Sequence, residues 1–286
     1  MARFVVVTPV LNGATYISAT LDSIRAQTDP DWIHYLVDGG STDGTLDIIA
    51  RAVAEDSRRR LLVGTDRGLY DAVFKGFERA RADGVIRPDT ICAWLGSDDL
   101  LMPWAVATLR ERFDATGAEW MAAVPTIWDY EGRLALVLRP NWYPRQLIRA
   151  GLFNPRILGG IQQESTFFTA SLLAKLPAET VATIRTARLA GDFLLWRAFA
   201  RYADLVPITA AVAGFRKHGG NLSTTQVESY YQEIRDSGVR IPPAWLGRVL
   251  RRGYRLLASR ATSRQLRRRG EEFEAAAALL TAPRAG

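Results

Sequence analysis

A single cysteine, Cys92, and two histidines, His34 and His218, leave this chain poor in thiolate and imidazole ligands. One thiol excludes an intramolecular disulfide and any cysteine-built cluster, and two imidazoles argue against a multi-histidine zinc centre. No uncharged apolar run approaches the ~18 residues needed to cross a bilayer. The opening Met1-Ala2-Arg3 leads straight into an apolar run. That leaves no room for a signal peptide, so the expected compartment is the cytosol. A Gly-x-Gly-x-x-Gly turn is missing after the first strand, where Thr8-Pro9-Val10-Leu11-Asn12-Gly13 stands instead. This argues against a dinucleotide-dependent oxidoreductase. The glycine-rich phosphate loop of a nucleotidyltransferase is missing as well.

What is present suits a soluble enzyme. The 286 residues, 48% hydrophobic and 23% charged, can build a substantial core. The net charge of +7 is unevenly placed. From Arg240 to Gly286 eleven arginines face Glu271, Glu272 and Glu274, a balance of +8 that leaves −1 for residues 1–239. A partner argued from charge is therefore a partner of the tail.

The first half alternates strand and helix signals. Phe4–Val10, Trp32–Val37, Arg60–Val63 and Thr90–Leu95 read as strands. Ala14–Gln27, Leu46–Ala54, Tyr70–Ala82 and a segment from Pro103 to about Thr116 read as helices. This order predicts an α/β fold with a mostly parallel sheet and right-handed crossovers. The second half is less regular. Trp120–Trp128 and Arg133–Leu138 predict a small antiparallel hairpin around Glu131-Gly132. Ser165–Phe168 and Leu205–Phe215 predict further strands, and Gly191–Tyr202 a helix. Cys92, inside a strand, reads as a core residue. In the tail, Trp245, Leu246, Val249, Leu250, Leu256 and Leu257 fall on one side of a helix, with Arg248, Arg251, Arg252 and Arg255 on the other. This basic amphipathic helix either packs its apolar face on the body or attaches the chain to an anionic membrane surface. It lacks the aromatic interleaving of a single-strand nucleic-acid binder, so no nucleic-acid partner is expected.

The most informative stretch is Gly96-Ser97-Asp98-Asp99, two carboxylates directly after the apolar strand that ends at Leu95. Open α/β sheets bind ligands at the carboxyl ends of their strands. Adjacent carboxylates repel, and a divalent cation carrying phosphate oxygens relieves that repulsion. The other strand ends bring Thr8-Pro9 with Asn12-Gly13, Asp38 with Ser41 and Asp43, and Asp66-Arg67-Gly68 to the same edge. Asp38 is suited to hydrogen bonds from a base or ribose. Ser41 and Asp43 suit a helix cap equally well. Gly68 allows close backbone approach or positive φ. Lys75 and Arg67 either face a phosphate or stand in solvent. Trp128, Trp142 and Tyr143 either pack or stack on a sugar.

Four segments together resemble the family 2 glycosyltransferases with a GT-A fold. They are Val5-Val6-Val7-Thr8-Pro9-Val10-Leu11-Asn12-Gly13, Val37-Asp38-Gly39-Gly40-Ser41-Thr42-Asp43-Gly44-Thr45, Asp66-Arg67-Gly68-Leu69-Tyr70-Asp71-Ala72 with Lys75-Gly76, and Gly96-Ser97-Asp98-Asp99. Their order and spacing agree across roughly residues 3–115. Gly191-Asp192-Phe193-Leu194-Leu195-Trp196 is similar to the family's catalytic-base segment, and Phe215-Arg216-Lys217-His218-Gly219-Gly220-Asn221-Leu222-Ser223 to a later loop.

The resemblance implies an inverting transferase that moves a sugar from a nucleotide-diphosphate sugar to an acceptor hydroxyl. The acceptor would be a glycan or lipid-linked intermediate of envelope polysaccharide or glycolipid synthesis. By position, Asp38 would contact the base, Asp98 the ribose, and Asp99 a Mn²⁺ or Mg²⁺ ion bridging the diphosphate. Thr8, Pro9, Asp66, Gly68 and Lys75 complete the donor-side set. His218 is either a metal ligand or phosphate contact, or a loop-packing residue. Asp192 would be the general base, its competing role being to cap the helix it opens. Glu164 is the next candidate for the base. The chain departs from the family pattern at Gly39 and Phe74, and at Gln162-Gln163 where a histidine is common. The expected organisation is a nucleotide-sugar half (1–116), an acceptor half of the same domain (117–223) and a basic helical tail (224–286). The tail adds an expected peripheral contact with the inner face of a membrane. The alternative is a non-catalytic nucleotide-sugar or glycan-binding module on the same fold.

Overall fold

The computed structural model describes residues 3–138, 141–243, 245–256 and 258. The first half follows the expected alternation. β1 (Phe4–Val10) is followed by α1 (Ile17–Arg25), β2 (Trp32–Asp38) by α2 (Thr45–Glu55), and β3 (Arg59–Val63) by α3 (Leu69–Ala82). Then come β4 (Ile91–Trp94), the two-residue β5 (Leu100–Leu101) and α4 (Ala105–Thr116). Every residue of β1 and β4 is buried, as befits strands covered by helices on both faces. The first helices present a matching stripe, Ile17, Thr20, Leu21 and Ile24 in α1, to that sheet.

The second half supplies β6 (Trp120–Ala122), β7 (Thr126–Trp128), β8 (Leu134–Val137), α5 (Arg145–Arg149), β9 (Thr166–Thr169) and α6 (Ala170–Ala174). It continues with α7 (Ala178–Thr186), α8 (Gly191–Phe199), β10 (Val206–Pro207), β11 (Ala213–Arg216), α9 (Leu222–Thr225) and α10 (Val227–Asp236). Seven strands form one sheet in the order β10-β6-β9-β4-β1-β2-β3, and β5-β11-β7-β8 form a second. The large sheet is parallel except where β9 runs against β4 and β6.

Two expected long strands are each two short ones. The run 120–128 gives β6 to the large sheet and, past Pro125, β7 to the small one. Likewise 205–215 gives β10 to the large sheet and β11 to the small one. Proline has no N–H for a ladder, so Pro125 is a natural point of departure. The β7–β8 hairpin forms as expected.

A stack of indoles joins the two halves. Trp196 of α8 lies against Trp94 of β4 with ring centroids 5.4 Å apart and against Trp120 of β6 at 5.7 Å, both nearly parallel. Phe168 and Phe199 close the cluster. Such ring pairs add about 0.5–1.5 kcal/mol each beyond the area they bury. β4 and α8 carry the carboxylates described below, so this core fixes their separation.

The basic helix covers residues 245–256. Its apolar side does not pack on the body: Gly247, Tyr254 and Ala258 are buried, while Trp245, Val249, Leu250 and Leu256 are exposed. A small residue and an aromatic ring fit the surface offered by Phe153 and Arg156 better than branched aliphatic side chains do. Leu257 lies outside the described residues. No described helix is long and apolar enough to cross a membrane.

Candidate active site

The tips of β1 and β2 are laced together by their own polar side chains. Asn12, at positive φ, donates its backbone N–H to Ser41 Oγ (2.8 Å) and accepts from the Thr42 N–H (2.9 Å). Asp43 accepts from the Ala14 N–H and, at the start of α2, from the Thr45 N–H. Ser41 and Asp43 are therefore loop and cap residues. Thr8 is buried with its hydroxyl 2.9 Å from His34 Nε2, so Thr8 and the neighbouring Pro9 offer a ligand chiefly backbone. Burial lowers the pKa of His34 to about 3, which keeps the ring neutral.

Asp38 ends β2 fully buried. Its Oδ1 accepts from the N–H groups of Gly40 (2.9 Å) and Ser41 (2.8 Å), and its Oδ2 has no partner among the described residues. A buried carboxylate oxygen without a donor is costly, and an N–H of a bound base would satisfy it. Asp66 sits beside it. A Cβ on Gly39 would lie 2.8 Å from Asp66 Oδ2, so Asp66 fills the space that a side chain at position 39 would need. Its other oxygen accepts from the Gly68 N–H (2.9 Å) in the turn that starts α3. Gly68 has φ +133°, open to glycine alone at no cost. Lys75 is turned elsewhere, donating to the Thr65 carbonyl (2.7 Å) and pairing with Asp71 (3.2 Å).

The tip of β4 is built around Gly96. A Cβ there would meet Asp99 Oδ2 at 2.6 Å and Asp98 Oδ1 at 2.7 Å, so both carboxylates fold back toward one point. β11 returns over them from the small sheet. The Arg216 N–H donates to Asp99 Oδ1 (2.8 Å) and its Nε to the Asp98 carbonyl (2.7 Å). Arg216 is itself buried, and its Nη2 has no partner among the described residues. The Gly220 N–H donates to His218 Nδ1 (3.1 Å), which places the ring proton on Nε2, facing Asp98 Oδ2 at 2.8 Å. Asn221 Nδ2 approaches the same oxygen at 3.3 Å.

Asp99 is starved of compensation. Burial, with Glu164 and Asp98 close by, raises its pKa well above the carboxylate range. Glu164, in the turn before β9, lies beside it, and burial with Asp192 and Asp98 nearby raises Glu164 to about 7. Like charges crowded out of water cannot all ionise. Among the described residues no three His, Cys, Asp or Glu side chains are arranged to hold a metal by themselves. The converging oxygens of Asp98 and Asp99 nevertheless fit a hard cation whose remaining ligands come from phosphate and water.

Asp192 stands in the first turn of α8. Glu233 of α10 accepts the N–H groups of Arg188 (3.2 Å), Leu189 (3.1 Å) and Ala190 (2.9 Å) and so pins the segment that leads into the helix. A first-turn donor of α8, the Phe193 N–H, is left to Asp192 itself. Asp192 Oδ1 accepts from the Phe193 N–H (2.7 Å), with Tyr70 Oη at 3.4 Å. Burial, helped by Glu233, raises its pKa to about 6. Gly191 makes the position possible: a Cβ there would sit 2.5 Å from the Tyr70 ring, so only glycine lets α8 abut α3.

The site thus gathers Asp98, Asp99, Glu164 and Asp192 at one end of the large sheet, with Asp38 and Asp66 together at the neighbouring tips. Arg216, Tyr70 and Glu233 were not singled out from sequence. Arg216 and Tyr70 had a visible signal, each lying inside a segment that resembles the family. Glu233 acts across more than forty residues and left none. Of the aromatics, Tyr143 is core, packed on Phe153, and Trp142 is exposed.

Comparison with known proteins places this geometry. The model described as Glycosyl transferase family 2 matches residues 5–170, more than half of the chain. A PGL/p-HBAD biosynthesis glycosyltransferase of Mycobacterium bovis is 42% identical over 100 residues, covering 34% of this chain and 36% of that one. The chain thus matches little more than a third of this relative's length. Among solved structures, S. aureus TarS 1-349 in complex with UDP-GlcNAc superposes with a TM-score of 0.58 at 17% identity, covering 81% of this chain and 64% of that one. The mannosyltransferase PcManGT from Pyrobaculum calidifontis, in complex with GDP-Man and Mn²⁺, gives 0.52 at 16% identity, covering 87% and 69%. These two likenesses establish the shared α/β fold.

Proposed function

Because this chain belongs to glycosyl transferase family 2, we propose that it moves a sugar from a nucleotide-diphosphate sugar to an acceptor hydroxyl with inversion. The acceptor belongs to envelope polysaccharide or glycolipid synthesis, and the reaction takes place on the cytoplasmic side of a membrane. Both the relative named for PGL/p-HBAD biosynthesis and the neighbour bound to UDP-GlcNAc support this reading. The observation that carries it is the state of Asp192. It stands at the start of α8 with Tyr70 Oη 3.4 Å from its Oδ1, its pKa is raised to about 6, and Glu164 lies close enough to feel both its charge and that of Asp98 at the β4 tip.

Each residue then has a task. The unpartnered Oδ2 of Asp38 accepts from the base, with Asp66 beside it in place of a side chain at Gly39. Asp98, oriented by His218 and Asn221, faces the ribose, and the free Nη2 of Arg216 faces the diphosphate. Asp99, with Asp98 adjacent, would hold Mn²⁺ or Mg²⁺. Such an ion, when bound, offsets the charge of the departing nucleotide as a Lewis acid. Asp192 takes the proton of the attacking hydroxyl. A carboxylate with a pKa near 6 is ionised at neutral pH yet a stronger base than an exposed one. Attack from the face opposite the nucleotide inverts the anomeric carbon.

A thermal-shift panel of UDP, GDP, dTDP and CMP, each with and without Mn²⁺, identifies the base. Turnover of the matching sugar donor, with NMR of the first product, tests the rest. The expected product has inverted configuration. Retention would remove Asp192 from its role, and binding without turnover would leave a carbohydrate-nucleotide-binding module.

A further inference from the structure

We propose that the helix over residues 245–256 is a docking surface for an anionic lipid bilayer, with Trp245, Val249 and Leu256 entering the interface. The helix is fixed to the body by one face. A Cβ on Gly247 would lie 2.3 Å from the Arg156 carbonyl oxygen, so the backbones meet there. Arg251 donates to the carbonyls of Ile157 (2.8 Å) and Pro155. Tyr254 stands edge-on to Phe153 at 5.6 Å and donates its hydroxyl to Asn141 Oδ1 at 3.0 Å. Ala258 is buried as well. Positions 247, 251, 254 and 258 recur at helical spacing and form one stripe.

The opposite pole is apolar. Trp245, Val249 and Leu256 are spaced by four and seven residues and are 61%, 58% and 70% exposed. Three large apolar side chains aimed away from the contact are not left over from core packing, since the helix already has its partner face. Arg248, Arg252 and Arg255 line one flank of that pole; all three are exposed and make no ion pair among the described residues. From Ser237 to Gly270 the chain has ten arginines and no acidic residue. That charge repels a second copy of the same face and matches an anionic headgroup layer. Nucleic acid would satisfy the arginines but leave the indole and aliphatic groups in water. A helix with an apolar ridge and a basic flank lies in the plane of a membrane surface. Trp142, next to the Asn141 that bonds Tyr254, is also exposed.

The test is co-sedimentation of the full chain with phosphatidylcholine vesicles, with and without phosphatidylglycerol, in the absence of donor and acceptor. Vesicle binding and sugar transfer are thus judged separately. The chain is expected to pellet with the anionic vesicles, less so as salt rises, and to stay in solution with the neutral ones. The variant Trp245→Ser/Val249→Ser/Leu256→Ser should lose at least about tenfold in partitioning. Arg248→Gln/Arg252→Gln/Arg255→Gln should lose the preference for anionic lipid. Independently, brominated phospholipid should quench part of the tryptophan emission of the unmodified chain, and that part should vanish in Trp245→Phe. Wild-type-like binding by the serine variant would overturn the proposal. So would no binding at all, a self-association lost in that variant, or Trp245 emission that bromolipid leaves unchanged because the chain's own later residues cover it.

Discussion

Asp71 and Asp99 are equally buried, 2% and 3% exposed, and sit in opposite electrostatic worlds. Asp71 lies in the seam between α3 and α7. Burial there opposes ionisation, but hydrogen bonds from Arg67, Arg185 and Lys75 overcome it and hold the carboxyl well below its usual range. Asp99 lies in the gap between β4 and α8 with two other carboxylates. A backbone N–H and the Arg216 charge are not enough to offset burial, and its pKa is raised. The first is a carboxylate completed by the protein. The second is one the protein leaves to be completed by something that binds. Low exposure alone does not separate structural from functional acids; the balance of partners does.

The largest effect belongs to the uncompensated side. Asp192→Asn should cut transfer by roughly 10²–10⁴-fold, the range for loss of a positioned base. The melting-temperature rise caused by the donor nucleotide should survive. Loss of both together would mean that Asp192 holds the fold or the donor, and the contrast with Asp71 would fail.

Next is pH. The folded pKa of Asp192, about 6, lies above its ordinary 3.8, and Glu164, at about 7, lies above 4.5. The folded state therefore holds protons that the unfolded chain releases. These groups stabilise fully below pH ~4, and that contribution is lost as pH rises through ~6 to 7. For Asp192 alone the loss across this window is roughly 3 kcal/mol, because a tenfold change in proton affinity is worth about 1.4 kcal/mol. Urea denaturation over the same range should show stability falling toward neutral pH, and Mn²⁺ with nucleotide should flatten the slope. The transfer rate should run the other way, rising with an inflection near 6 as Asp192 ionises.

Gly191→Ala tests how tightly α8 is seated. The added methyl meets the Tyr70 ring, and overpacking of this kind costs about 1–3 kcal/mol. Differential scanning calorimetry should show that loss, with a drop in kcat as Asp192 is displaced. The smallest effect is expected on the completed side. Lys75→Gln should lower stability by under about 1 kcal/mol and leave the affinity for nucleotide unchanged, because the ammonium serves Asp71. A clear loss of donor affinity would return Lys75 to the site.

The sequence made the strand tips legible because each is an apolar run ended by a polar turn. That signal is local, and it located Asp38, Asp66, Asp98 and Asp99. The double switch between sheets was not legible. Within 120–128 and 205–215 side chains stay mostly apolar while the backbone changes partners, and only Pro125 and Pro207 mark the places. Nor was Glu233 visible as the anchor of the segment before α8, since nothing near Asp192 announces an acceptor from α10. The basic helix misled for a further reason. Its docking face is carried by Gly247 and Tyr254, while its most hydrophobic residues are the ones left outside.

The parallel indoles of Trp94 and Trp196 set what the gap between β4 and α8 can do. Flat rings slip past one another cheaply, but they cannot be pulled apart without wetting both faces. Slip is blocked in turn, because Trp196 also stacks on Trp120 and Gly191 abuts the Tyr70 ring. α8 is thereby clamped in depth and in register, and it carries Asp192 as a rigid mount.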